Sequence, residues 1–400
     1  MSVTVTGTST VRLHRLTMVA EDDGVMIGRP DIGSYALFPE EGAETLRMLD
    51  SGIQVSAVAE WYERTCGSPL DFDDFFGVLE DLQFLCADGE DRPPQIKTRW
   101  GRLGFWVFSW PAWLCYAIVT VAAIVEMVRM PVLRPSYHNL FFTTHLSVIP
   151  IVLAATEIPC ILIHESYHAL AGRRLGLPST LRISRRLYYV VAETRLDSLL
   201  SVPRRKRYLP FLAGMISDVV MFSGLTLAAA FFDGRHVAAW IPGIFIAVAF
   251  TAVLRLIWQF LFYLQTDLYY VLANALRCSD LQNATRFLIR SKLRRLLGRR
   301  ALPEAGEWSD RDQVMARRYA PLFLAGYAFS LGSLAWAGIP TIARFASMIF
   351  DRLTQPATST EGILDALTFI GMTCLQIGIL IYVTLRDRRA ARNLTLGAST

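Results

Sequence analysis

Apolar residues are unevenly distributed along this chain. Up to about residue 95 they alternate at short range with polar neighbours, and beyond residue 100 they gather in long blocks separated by basic segments. In the first part, two β-rich runs around 11–19 and 24–37 flank the turn signal Glu21-Asp22-Asp23-Gly24, the pattern of strands joined by a tight turn. Polar-apolar stretches at 44–50, 55–62 and 71–85 follow. In the last of them Phe75, Val78, Leu79, Leu82 and Leu85 recur at helical spacing with acids between them. Two strands and three short helices predict a small α+β domain over residues 1–95. Arg92-Pro93-Pro94 then breaks the pattern and supplies a linker to residues 96–400.

The later blocks are of another kind. A bilayer crossing takes about 20 residues at 1.5 Å rise each, and six runs reach that length: 105–128, 145–172, 208–232, 241–264, 319–339 and 363–385. The fourth keeps a helical pattern to about Leu276, too far for one straight crossing, which predicts a kink or a helix emerging into water. The fold class expected is mainly α: a polytopic membrane helix bundle of about six spans with a small N-terminal α+β, winged-helix-like cytosolic domain.

Composition agrees and narrows the alternatives. Hydrophobic residues make up 53% and charged residues 19%, against about 25% charged in soluble domains. Mean hydropathy is +0.35. These figures argue against a wholly soluble, disordered or disulfide-framework protein. The six cysteines form no C-x-x-C pair, so reduced, mostly buried thiols are expected. The first twenty residues lack an apolar h-region, so no secretory signal is read and the N-terminus is expected to stay in the cytoplasm.

The net charge of +5 matters less than its placement. Between spans two and three lie Arg173, Arg174, Arg182, Arg185, Arg186, Arg195 and the run Arg204-Arg205-Lys206-Arg207. Arg290, Lys292, Arg294, Arg295, Arg299 and Arg300 lie between spans four and five, and Arg386, Arg388, Arg389 and Arg392 lie in the tail. The remaining connections carry few cations. The positive-inside rule then makes every basic segment and both termini cytoplasmic, as in a multi-pass protein of the cell (inner or plasma) membrane. Flanked by spans, these segments read as topology signals rather than nucleic-acid sites. The acids Asp71, Asp73, Asp74, Glu80, Asp81 and Asp88 would repel phosphates from the small domain as well.

Chemistry enters near the end of the second span, at Ile163-His164-Glu165-Ser166-Tyr167-His168-Ala169-Leu170. Histidines at i and i+4 project from one helical face. In H-E-x-x-H both imidazoles bind Zn²⁺ and the glutamate serves as general base toward water. With six histidines in the chain, chance rarely produces the pattern, and an acid within a span usually marks function. A third protein ligand is needed to leave one open position. His14 belongs to the small domain, while His138, His145 and His236 stand toward the far side. On depth, Asp267 in Gln265-Thr266-Asp267-Leu268-Tyr269-Tyr270 is favoured, with Asp218 inside span three as its competitor. Glu157, seven residues before His164, and Arg255 in span four are buried charges that a mutual ion pair would satisfy.

His164-Glu165-Ser166-Tyr167-His168-Ala169-Leu170-Ala171-Gly172-Arg173-Arg174 resembles the first motif of the site-2-protease family of intramembrane zinc metallopeptidases. It is particularly similar to the bacterial peptide zinc metalloprotease branch. A basic hydrophilic segment at 182–207, the pair Ala213-Gly214, and Asp267 ahead of Tyr269-Tyr270 match further features of that branch. The resemblance covers roughly 140–280. It implies that His164, His168 and Asp267 bind zinc and that Glu165 activates water. Two positions depart from the family pattern. The usual Asp-Gly is Asp267-Leu268, and the Gly-Pro-x-x-Asn of many members is Gly214-Met215-Ile216-Ser217-Asp218, which leaves Asp218 as a candidate substrate or oxyanion contact only if protonated. The stretch from Ser34 to Leu85 resembles PqqD-like peptide-recognition domains, which bind leader peptides by adding a strand to a sheet edge.

Together these readings predict a zinc endopeptidase cutting a peptide or membrane-associated substrate in or near the bilayer. Maturation of a ribosomally made, modified peptide is the specific expectation. The alternative from another class is a non-catalytic membrane protein for peptide binding, export or immunity. Expected partners are the substrate and the lipid bilayer, with no nucleic acid; oligomeric state is not legible.

Overall fold

A computed structural model describes residues 11–22, 24–86, 98–186, 189–195, 197–235, 237–238, 240–278, 280–298, 308, 310–354 and 359–397. The linker Arg92-Pro93-Pro94 and the cations Arg299 and Arg300 lie outside the described residues. The chain forms two compact units, one of residues 1–105, 169–180 and 195–210, the other of 106–168, 181–194 and 211–400.

The first unit holds a three-stranded antiparallel sheet, β1 (Thr17–Glu21), β2 (Gly24–Arg29) and β3 (Ser34–Phe38), in that spatial order. Helices α1 (Glu40–Asp50), α2 (Val55–Cys66) and α3 (Phe72–Asp81) follow. The second β-rich run is therefore two strands, where the sequence pattern predicted one. Pro30-Asp31-Ile32-Gly33 turns the chain: Gly33 takes φ +72° and its N–H returns to the Arg29 carbonyl at 2.9 Å, a conformation that Gly adopts without strain. The register Val25↔Phe38, Ile27↔Ala36 places Val25, Ile27 and Phe38 in a core with Leu46, Leu49, Val58, Phe76 and Leu79. Each such side chain contributes about 1.5–3 kcal/mol by leaving water. The acids opening α3 have a local cause, since Asp71 accepts from the N–H groups of Asp73 and Asp74 at 3.1 Å each and caps the helix.

Arg29 closes the same turn. Its Nη2 donates to Asp31 Oδ2 at 2.6 Å and its Nη1 to the Gln83 carbonyl at 2.6 Å. The hydrogen bond from Arg29 holds the Asp31 carboxyl below the usual carboxylate range, against a smaller opposing effect of burial. A depressed folded-state value contributes stability above the unfolded pKa of about 3.9 and loses it as pH falls through the folded value. Asp31→Asn is expected to cost about 1 kcal/mol or less at neutral pH. The gap from wild type should close below about pH 4, read as urea-dependent hydrogen exchange of peptides spanning 24–38, corrected for intrinsic rates. A gap that widens in acid would contradict the assignment. Also within this unit, the side chain of Glu21 in β1 is 2% exposed and pairs with Arg207 at 2.6 Å and with Arg204. Two cations of the basic run thus fasten the sheet.

After α4 (Gly101–Val107) the long helices begin: α5 (Trp110–Arg129), α6 (Val148–Arg174), α7 (Arg204–Phe232) and α8 (Trp240–Trp258). A hairpin of β4 (Thr180–Arg186) and β5 (Tyr189–Arg195) separates α6 from α7. Among the described residues six helices are long and apolar enough to cross a membrane, the last two being Arg311–Thr354 and Thr360–Tyr382. The protein is accordingly a mainly helical, multi-pass membrane protein.

The fourth apolar run breaks where its length demands it. α8 ends at Trp258, and α9 (Asp267–Leu276) begins after a short 3-10 turn and a left-handed Gln265 at φ +56°. α10 (Leu281–Leu296) then packs along α11 (Asp310–Ser333). The fifth apolar run extends beyond the expected 319–339: α11 passes through a π-helical turn at Leu334–Gly338 into α12 (Ile339–Thr354). Pro340 lacks an N–H for the ordinary ladder there, which accounts for the widened turn. From α13 (Thr360–Gly397), Asp365 accepts the N–H groups of Leu146 at 2.6 Å and Ser147 at 3.0 Å and pairs with Arg352. It thereby satisfies donors at the start of the helix that carries the histidines.

Candidate metal centre

His164 and His168 lie one turn apart on α6, 7% and 6% exposed, with their Nε2 atoms 3.2 Å apart. An adjacent face of α6 is pinned by Tyr167, whose hydroxyl meets that of Tyr116 at 3.1 Å and whose ring meets Phe108 edge-on.

Asp267 reaches the pair from another helix. It is the first residue of α9, and its N–H donates to the Gln259 side chain at 3.0 Å while Thr266 Oγ1 donates to the Gln259 carbonyl at 2.6 Å. The break after α8 is thus bridged by one glutamine. The following tyrosines hold α9 on two sides. The Tyr269 hydroxyl accepts the N–H of Gln282 at 3.1 Å, and Tyr270 stacks on Phe211 of α7 at 5.7 Å. So placed, Asp267 Oδ2 stands 3.4 Å from His164 Nε2 and 3.2 Å from His168 Nε2.

These three atoms form the one group of metal-ligating side chains found among the described residues. Their separations suit an ion. Bonds of 2.0–2.1 Å to nitrogen and oxygen at the tetrahedral angle put neighbouring ligand atoms about 3.3–3.4 Å apart. The chemistry of the donor set agrees. His164 Nδ1 meets Asp218 Oδ2 at 2.9 Å, an assignment in which Nδ1 carries the proton and Nε2 presents a lone pair. Asp267 Oδ2 is buried with no hydrogen-bond partner. Lone pairs therefore converge with too few protons to satisfy them, the circumstance a cation resolves.

Space for the ion comes from α7. A Cβ built on Gly214 would collide with Nε2 of both histidines, so only glycine leaves the gap between them open. One turn on, Asp218 is fully buried. Sequence reasoning left it as a competing ligand or an oxyanion contact. The structure seats it behind His164, with Oδ2 on the imidazole and Oδ1 accepting from Arg255 Nε at 3.0 Å. Arg255 also pairs with Glu157, the contact expected from the cost of leaving either charge alone in a span.

Glu165 is 8% exposed. Its carboxylate accepts the N–H of Thr194 in β5 at 2.7 Å, and its carbonyl accepts the Thr194 hydroxyl at 2.9 Å. Sequence reasoning missed Thr194, the gap left by Gly214 and the placement of Asp218. Gly214 and Asp218 are spaced i, i+4 on an apolar helix, a signal that places both toward one neighbour. Nothing in the sequence marks Thr194. Of the other histidines, His14 is buried in the first unit and His236 lies outside the described residues. Comparison with protein-family models, with curated proteins and with solved structures finds no match.

Proposed function

We propose that the chain is a membrane-embedded zinc endopeptidase, with His164, His168 and Asp267 holding the ion and Glu165 as general base. The observation that carries this reading is the convergence of three ligand atoms from α6 and α9 on a gap kept open by Gly214. Beside it stands a glutamate in the H-E-x-x-H position, which mere metal storage would not require. When bound, zinc supplies a Lewis acid that polarises a carbonyl oxygen and makes water acidic near neutral pH.

The chain's own residues do the rest. Glu165 takes the proton of the attacking water and delivers it to the leaving amine. The Thr194 N–H on its carboxylate keeps that group oriented. Burial of both histidines and of Glu165 limits competing bulk water. A substrate helix unwinds locally before attack, because its amides are otherwise satisfied internally.

Orientation follows the positive-inside rule, with both termini and the basic connections cytoplasmic in the cell membrane. The substrate class proposed is a peptide or membrane-associated protein, with a ribosomally made precursor as the specific case. The first unit supports this reading. Its sheet order leaves β3 at an edge, where an extended peptide adds as a further strand.

The test is metal content of the detergent-solubilised full chain. Wild type is expected to carry about one zinc per chain, and His164→Ala none, since two ligands do not retain a structural or catalytic ion. A wild type that binds no zinc from metal-replete buffer would overturn the proposal in favour of a non-catalytic membrane peptide-binding, export or immunity protein.

A further inference from the structure

Behind the three ligand atoms, four ionisable side chains on three helices form a continuous chain. Glu157 of α6 pairs with Arg255 of α8 and also accepts the Thr251 hydroxyl. Arg255 Nε donates to Asp218 Oδ1 at 3.0 Å, and Asp218 Oδ2 meets His164 Nδ1 at 2.9 Å. We propose that Arg255 and Glu157 are positioning residues for the metal centre. Together they fix the Asp218 carboxylate against Nδ1 of His164, and so fix the direction in which His164 presents its Nε2 lone pair. This inference rests on the zinc reading and deepens it.

Three features argue for it. Asp218 is fully buried and both its oxygens are engaged. A carboxylate in that position is tolerated because a guanidinium stands against it; removing one partner of a buried pair is strongly destabilising to the charge left behind. The guanidinium is also the one side chain whose fork reaches two carboxylates on different helices at fixed angles, here through Nε and Nη1. It ties α6, α7 and α8 together at the level of the ligand. Finally, among the described residues the site assembles four carboxylates, Glu157, Glu165, Asp218 and Asp267, and the guanidinium of Arg255 stands against two of them. That excess of negative charge favours a divalent cation, and Arg255 restrains Asp218 from turning toward it. Partners that orient a ligating imidazole in this way are worth about 10–100-fold in metal affinity.

The experiment compares wild type, Arg255→Met, Arg255→Lys and Glu157→Gln as full chains in detergent. Zinc affinity is read by competition with a chelator, and ligand geometry by the visible spectrum of the Co²⁺-loaded proteins. Thermal melting of the metal-free forms reports the fold. Arg255→Met is expected to weaken zinc about 10–100-fold and to shift the cobalt bands. Arg255→Lys, which keeps the charge but not the fork, and Glu157→Gln should lie between it and wild type. If Arg255→Met does not fold, the two conservative variants decide by the same readings. Any folded variant of Arg255 with wild-type zinc affinity and cobalt spectrum overturns the positioning role. A wild type that takes up neither metal instead overturns the zinc reading itself, so the two failures are distinct.

Discussion

Gly214→Ala is expected to empty the metal centre while leaving the chain folded. In most helices this substitution is mildly stabilising, by about 1 kcal/mol, because alanine loses less backbone freedom. Here the added methyl would fall on Nε2 of both His164 and His168, in the space that the three ligand atoms enclose. The atoms it meets are the ring ends of side chains, which yield before the backbone does; the displaced rings no longer converge with Asp267, and His164 strains its bond to Asp218. Zinc affinity should fall by more than the 10–100-fold associated with loss of a supporting partner, since the ligands themselves are displaced. The measurement pairs zinc per chain with the melting temperature of the metal-free protein. Lost zinc from a chain that still melts cooperatively is the expected result, since the helical gain of about 1 kcal/mol offsets part of the cost of the strained His164–Asp218 bond. Full zinc at unchanged affinity would show that the ion sits elsewhere and would remove the geometric basis of the functional proposal.

Glu165→Gln is the second large effect, and it separates chemistry from binding. The amide oxygen of glutamine can still accept the Thr194 N–H that holds the carboxylate at 2.7 Å, so the local structure should persist. What is lost is a group able to take a proton from water and return it to a leaving amine. Cleavage is expected to fall by about 10²–10⁴-fold, with zinc content equal to wild type. A quenched-fluorescent peptide library read alongside metal analysis provides the check. Wild-type turnover in the variant would sink the general-base assignment, and loss of zinc together with turnover would make Glu165 a structural residue.

Much of the fold was legible from hydropathy because a bilayer imposes length and polarity on anything that crosses it. The six expected runs correspond to the six long apolar helices, and the break after α8 follows from a run too long for a straight crossing. Boundaries moved where local chemistry intervened, with Pro340 widening a turn in the fifth run and Gly33 splitting one predicted strand into two. Within the site, His164 and His168 were legible because helical geometry alone puts i and i+4 on one face. Asp267 was favoured on depth, but its approach to the histidines depends on Gln259, Tyr269 and Tyr270, whose contacts lie on other segments. The Glu157–Arg255 pair was anticipated from the cost of isolated charge in a membrane. Its continuation through Asp218 to His164 was not.

Periodicity and charge along the chain therefore determined which segments are helical, how many can cross a bilayer and where a metal-binding face begins, because each of these is a property of neighbours within about two turns. Tertiary structure alone decided that Asp218 stands behind His164, that Gly214 opens the gap between the imidazoles and that Thr194 holds Glu165. Those are relations between α6, α7 and β5, set by how side chains from separate segments fill a common interior. A one-dimensional pattern records which face a residue occupies, but not which residue of another segment it meets there.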